Sequence, residues 1–370
     1  AWDNTKKCRI ALPNCICCEK HDDRATKGES VRYSQYLDTQ KEIRMAGRFA
    51  ICFGFIFLLT GLQSSAQTST PPPEMELSPL KLVGTTTHEP VNEMSGLVKS
   101  QRFPGVYWVH NDSGDDPRLF AIEKNGNVII PDFMKGDFHG KVEAKGKQPW
   151  PGTKILLAAN QDWEDIAIDE DRIYIADVGN NGNARRDMGI YVLYEPNPRA
   201  LHESRILEYL PVRYPEQHQY PAEKWHFDSE SVFIADGELH LLTKHRQPGQ
   251  HLLSESGVNL YRLDSDHTSE VNILTKVDSH NQVTFATGAD LSPDGSHLAV
   301  VSYTALWVFD RPEDGSSWLS TKTRMLPLSI QISRQIEAVC WDSNETILIS
   351  NEQRQIFEIK LEHIPEHQPM

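Results

Sequence analysis

From residue 80 onward, short apolar runs alternate with turn-forming residues, and almost no stretch keeps a helical period. That pattern predicts strands joined by tight turns. The strands recur in a fixed order. A segment opening on a small or acidic residue appears as SGLV at 95–98, EDIAI at 164–168, ESVFI at 230–234, ADLS at 289–292 and EAVCW at 337–341. After a turn comes a second apolar strand: VYWVH at 106–110, RIYIAD at 172–177, ELHLLT at 238–243, HLAVVS at 297–302 and TILIS at 346–350. A third, often aromatic, follows: RLFAI at 118–122, GIYVLY at 189–194, NLYRL at 259–263, ALWVF at 305–309 and QIFEI at 355–359. Candidate fourth strands are KILLA at 154–158, RILEYL at 205–210, VNILTK at 271–276 and RMLPL at 324–328.

Four antiparallel strands per unit, repeated with variable loops, define the blade of a β-propeller, an all-β fold. Five units are visible, their starts 69, 66, 59 and 48 residues apart. The stretch 131–160 leaves room for part of a sixth. Pro293-Asp294-Gly295 supplies a tight turn between two apolar strands of the fourth unit. The last unit lacks a fourth strand, and LKLVGT at 80–85 is expected to fill that place and close the ring. Closure removes exposed sheet edges. A β-sandwich is the competing architecture, but it leaves the fivefold three-strand pattern unexplained.

The N-terminal region has a different character. The first methionine is Met45, and the 44 residues before it are polar, without apolar periodicity. They hold Cys8, Cys15, Cys17 and Cys18; a zinc or redox tail is one reading, but Cys15, Cys17 and Cys18 lack a second pair, Cys/Cys or Cys/His, to complete a metal-ligand set. They read as an extension outside the domain. Arg48 then leads into the apolar run Phe49 to Leu62, whose 14 residues suit a signal-peptide core and fall short of a span. Ser64-Ser65-Ala66 offers small residues for cleavage, an uncleaved signal anchor being the alternative. The expected organisation is a signal peptide at 45–66, a Thr/Pro-rich leader at 67–79, the propeller at 80–362 and a polar tail at 363–370. Export would place the domain in the periplasm or outside the cell, with no stable membrane insertion after cleavage.

Charge narrows the partners. Of 37 Lys/Arg and 52 Asp/Glu, residues 1–66 hold 10 and 7, leaving 27 against 45 and a formal charge of −18. Nucleic acid is not expected, because phosphate binding needs cationic neutralisation. A small molecule or an envelope protein is. Only Cys340 follows the cleavage site, so no internal disulfide is expected, and its apolar surroundings suggest a core residue.

Candidate chemistry comes from topology. In a propeller the first strand of each blade lines the central axis and the second runs antiparallel to it. Residues opening the first strand and ending the second therefore meet on one face. Those positions hold Glu164 and Asp165 with Asp177, Glu230 with Lys244, and Glu337 with Asn351 and Glu352. Ser95 lies opposite Asn111 and Asp112 in the first unit, and Ala289 opposite Ser302 in the fourth. The loop DVGNNGNARRD at 177–187 adds Asn180 and Arg186. Carboxylates around a narrow axis must raise their pKa values, pair with cations or bind a metal. Carboxylate and amide oxygens form the hard set that calcium prefers. Glu164, Asp177, Asn180, Glu230, Glu337 and Glu352 are the candidate metal ligands. Asp112, Asp165, Arg186 and Lys244 are the candidate ligand-binding residues. The alternative role for the acids is to hydrogen-bond backbone and lock blades together. GxSxG, HExxH, P-loop and EF-hand patterns are absent from the sequence.

The ordered set NDSG at 111–114, DWEDIA at 162–167, DVGNNGNARR at 177–186, YEPNP at 194–198, DSESV…LLTK at 228–244, TGADLSPDG at 287–295 and IEAVCW at 336–341 resembles a group of exported bacterial propeller proteins of uncharacterised function. More distantly the chain is similar to phytase-like, gluconolactonase-like and TolB-like propellers. The first two resemblances imply a calcium-dependent hydrolase and the third a binding scaffold. Where this chain has Asn180 or Asn181, those families often carry an acid, so a cation implied by resemblance loses one ligand here. Three functions follow as expectations: a small-ligand binder holding a divalent cation, a metal-dependent ester, lactone or phosphoester hydrolase, and a protein-interaction scaffold without metal.

Overall fold

The computed structural model describes residues 79–138 and 146–367. The upstream extension, the signal peptide and nearly all of the leader lie outside the described residues. Five antiparallel sheets form the blades of a propeller, and no sixth sheet occurs among the described residues. Blade 1 comprises Met94–Lys99, Tyr107–Asn111, Arg118–Ile122 and Thr153–Leu156. Blade 2 comprises Trp163–Asp169, Arg172–Asp177, Gly189–Tyr194 and Glu208–Arg213. Blade 3 runs Trp225–Ala235, Glu238–Gln247, Val258–Arg262 and Thr275–His280, and its second strand also pairs with Gln250–Ser254. Blade 4 is Ala286–Leu291, His297–Ser302, Ala305–Asp310 and Thr323–Pro327. Blade 5 takes Ile336–Ser343, Thr346–Asn351 and Gln355–Lys360 from the C-terminal end and Lys81–Thr85 from the N-terminal side. The closing strand is therefore the expected one, pairing Lys81 with Glu358 and Thr85 with Gln355.

The inner strands adjoin in blade order, and blade 5 returns to blade 1. Both faces of each sheet are covered, which is why the strands read as continuous apolar runs rather than alternating ones. Successive residues of one strand serve two neighbours: Ile166 and Ile168 pack toward blade 1, while Ala167 packs toward blade 3. Likewise Val339 and Trp341 face blade 4, whereas Ala338 and the free, buried Cys340 face blade 1.

Two fourth-strand expectations need correction. RILEYL and VNILTK are not single strands. Glu203–Arg205 lies parallel to Thr153–Leu156 on the rim of blade 1, and only Glu208–Arg213 completes blade 2. Asn272–Ile273 lies parallel to the outer strand of blade 2, and Thr275–His280 completes blade 3. The chain thus stitches blade 1 to blade 2 and blade 2 to blade 3 before building the outer strand of the later blade. Of the expected polar tail, the described residues 363–367 lie along the domain: Glu366 bridges to Arg324 on the rim of blade 4, and Ile364 is buried.

Candidate metal centre on the axial face

Each inner strand gains one residue on its partner at the same level. Trp163 pairs with Asp177 but Asp165 with Ala176, leaving Glu164 as the extra residue. The same step leaves out Glu230, Thr287 and Glu337 in blades 3, 4 and 5. In blade 1 the shift falls between Ser95 and Val98, where Gly96 has φ 60. Such bulges re-aim side chains. Three of these positions carry glutamate. The fourth-blade position is Thr287, not Ala289; Ala289 pairs with Val300 further along, and Ala286 is the residue opposite Ser302. Thr287 donates to Ile336 O at 2.9 Å and Ser95 to Glu164 O at 3.0 Å, so these hydroxyls tie blades together.

Two flanking positions complete the face. Two residues before the bulge stand Asp162, Asp228, Phe285 and Gln335 in blades 2 to 5. One residue past the partner of the residue before the bulge stand Val178, Lys244, Tyr303 and Glu352 in blades 2 to 5, and Asp112 follows the second strand of blade 1. The acids gather on blades 1 to 3. Asp112, Asp162 and Glu164 bring carboxylate oxygens within 4.8 Å of one another, and so do Glu164, Asp228 and Glu230. Glu164 belongs to both groups.

Glu164 is 7% exposed, and no hydrogen-bond donor or cation among the described residues contacts its carboxylate. Burial and then the charges of Glu230, Asp162, Asp112 and Asp228 push its pKa far above the carboxylate range. Asp162 is raised to about 7 by burial and by Asp228 and Asp112. Asp112 is raised chiefly by burial, and Asp228 to about 6 by burial and Glu230. Lys244 and Arg246 offset part of this charge. Lys244 pairs with Glu230, and Arg246 meets Asp228 at 3.0 Å and Glu230 at 3.1 Å. Burial works against the Lys244 ammonium, but Glu230 outweighs it and holds the pKa above the ordinary lysine value.

The remaining predicted residues have other engagements. Asp177 pairs with Arg185 at 2.9 Å and accepts the Asp162 N–H at 3.1 Å. Asn180 donates to Phe227 O at 2.9 Å and accepts the Arg185 N–H at 2.9 Å, so its amide organises the loop. Arg186 is exposed and lies over the Tyr220 ring at 4.6 Å; the cation that serves this face is its neighbour Arg185. Asp165 accepts N–H groups from Ile166 and Val232 at 2.9 Å and from Ala289 at 3.3 Å. It therefore spans the axis from blade 2 to blades 3 and 4. Glu337 and Glu352 stand apart from both acidic groups and share the Gln335 amide, with Tyr303 donating to Glu337 at 3.3 Å. Burial raises them to about 8 and about 7.

Asp162, Asp228 and Arg246 were missed in the sequence. The signal was an Asp-x-Glu step in two blades, Asp162-Trp163-Glu164 and Asp228-Ser229-Glu230, with residues two apart on one strand face. A cavity of about 890 Å³ lies toward the other end of the axis, among the hairpins that join inner and second strands. Its Lys99 and Arg311 pair with Asp342 and Asp236, and it holds none of the acidic groups just described.

No protein-family model and no curated protein matches this chain. Among solved structures it is similar to a luciferin-regenerating enzyme, at 9% identity and TM-score 0.40 over 78% of this chain and 97% of that one. It is also similar to a gluconolactonase from Xanthomonas campestris, at 11% identity and TM-score 0.37 over 81% and 99%. The hydrazine synthase of Kuenenia stuttgartiensis matches at 9% identity and TM-score 0.39 over 72% and 83%.

Proposed function

We propose that this is an exported β-propeller that holds one divalent cation, of the calcium class, at Asp112, Asp162 and Glu164 and presents it to a small ligand. The observation that carries the reading is Glu164, a buried carboxylate with no donor or cation among the described residues, at the junction of two acidic groups. A buried charge in that state needs compensation. Carboxylate oxygens suit a hard divalent ion. Bound there, such an ion would neutralise the acids and polarise a ligand oxygen.

Thermal unfolding tests this. Chelation should lower the melting temperature and calcium restore it, by roughly 5–10 °C at a hundredfold excess over the dissociation constant. Glu164→Gln should weaken the response, yet be neutral or mildly stabilising in chelator because like-charge repulsion falls. The pH dependence has a definite sign. Asp162, at about 7 in the folded chain, keeps a proton that the unfolded chain has already released. Without cation, stability should therefore fall as pH rises from about 4 to about 7, and calcium should flatten that slope. A melting curve indifferent to both chelator and calcium would overturn the reading.

A hydrolytic role is the second reading. Glu337 and Glu352, at about 8 and about 7, are carboxyls able to exchange a proton near neutral pH beside the centre. Turnover of model esters, lactones or phosphoesters, lost in Glu337→Gln, would support it.

A further inference from the structure

We infer that Lys244 and Arg246 occupy a second cation position and thereby fix the stoichiometry of the centre at one ion. This rests on the cation reading above. The two acidic groups share Glu164 and are alike in their carboxylates, but not in what those carboxylates touch. On blade 3 all four oxygens of Asp228 and Glu230 are engaged. Asp228 accepts the Asn180 N–H at 2.6 Å through Oδ1 and Arg246 at 3.0 Å through Oδ2. Glu230 takes Arg246 at 3.1 Å through Oε1 and Lys244 through Oε2. On blades 1 and 2, Asp162 and Glu164 have no donor among the described residues, and Asp112 accepts only its neighbour's Ser113 N–H, at 2.6 Å.

The two cations are built into the fold. They lie two apart on one strand, are 2% and 6% exposed, and sit 5.1 and 5.3 Å from the centre of the Phe285 ring. Lys244 also lies 5.0 Å from the Tyr303 ring centre and donates to its hydroxyl at 3.3 Å. Phe285 holds this place with φ 54, in the left-handed region that bulky residues avoid. Two buried positive charges thus neutralise two buried carboxylates. An ion entering that group would have to displace them or face their repulsion, whereas the Asp112–Asp162–Glu164 group is open to one.

Calorimetric titration and native mass spectrometry with calcium test the inference. The wild-type chain should take one ion and the double variant Lys244→Met, Arg246→Met two, because Asp228 and Glu230 then lose both cationic partners. Adding Asp228→Asn and Glu230→Gln to that variant, which removes the acids with their cations, should return it to one. If Lys244→Met, Arg246→Met folds only with calcium, its refolding midpoint should depend on calcium concentration twice as steeply as the wild-type melting shift. Two ions on the wild type, one on Lys244→Met, Arg246→Met, or a chain of that variant that stays unfolded at saturating calcium would each overturn the inference. No ion on the wild type would instead remove the cation reading on which it stands.

Discussion

Gly179 sets how closely the carboxylates can approach. A Cβ there would lie 2.2 Å from Glu164 Oε1 and 2.5 Å from Asp162 Oδ2, although its backbone lies outside the left-handed region. The glycine is needed for space rather than for its torsion. Gly179→Ala should therefore push the two carboxylates apart, weakening calcium binding at least tenfold, or about 1.4 kcal/mol. Gly182→Ala, three residues on with nothing within 4 Å of a new Cβ, should leave binding unchanged. Isothermal titration of both variants decides this, and equal affinities would count against the placement of the ion. At this scale the sequence was only partly legible. Glu164 and Glu230 could be placed from strand topology, but Asp162 and Asp228 precede the apolar runs and read as loop. Arg185 and Arg186 are adjacent and chemically alike, so only the path of the backbone shows which one meets Asp177.

Strand identity was legible at the level of the element because the inner, second and third strands of the blades are largely buried on both faces and read as apolar runs. Strand partners were less so. Glu203–Arg205 and Asn272–Ile273 lie on blades that precede them, and nothing in a three-residue or two-residue segment encodes that neighbour. The recurrent bulge was also hidden, since one extra residue leaves the apolar pattern intact. Its consequence is that adjacent residues of one strand do different work. The Glu164 carboxylate meets no donor among the described residues, while Asp165 receives three backbone N–H groups, two of them from blades 3 and 4. Asp165→Asn would set an amide donor against those donors. It should destabilise the fold by about 2–3 kcal/mol, equally with and without calcium. Glu164→Gln should behave in the opposite way. Denaturant unfolding in chelator and in calcium separates the two, and a calcium-dependent loss in Asp165→Asn would place that residue in the ion site instead.

At the scale of the whole domain, stability depends on a ring whose first and last described strands meet in blade 5. On the other side of the closing blade, Lys99, Tyr107 and Lys124 of blade 1 converge on Asp342 of blade 5, at 2.8, 2.6 and 2.7 Å. Lys124 also reaches Glu358 at 2.6 Å. These contacts hold the Asp342 carboxyl well below its ordinary pKa despite its partial burial. The closing strand enters beneath the same blade, with Thr85 N–H donating to Asn125 O at 3.2 Å and Thr86 N–H to Arg354 O at 2.8 Å. A Cβ on Gly84 would lie 2.5 Å from the Asn125 carbonyl carbon, so strand and hairpin are in direct contact. Removing residues 81–85 should leave Gln355–Lys360 as an unpaired edge and uncover the apolar cluster that Val83 joins. Because the blades share their cores pairwise around the ring, the loss should be felt as one cooperative drop in melting temperature rather than as local fraying. It should also favour association through the open edge, seen as a concentration-dependent rise in mass by light scattering. Deleting residues 68–73, in the leader outside the described residues, should do neither. Equal melting temperatures for the two deletions would show that the ring does not depend on this strand, and that the seam contacts of Asp342 suffice to hold it closed.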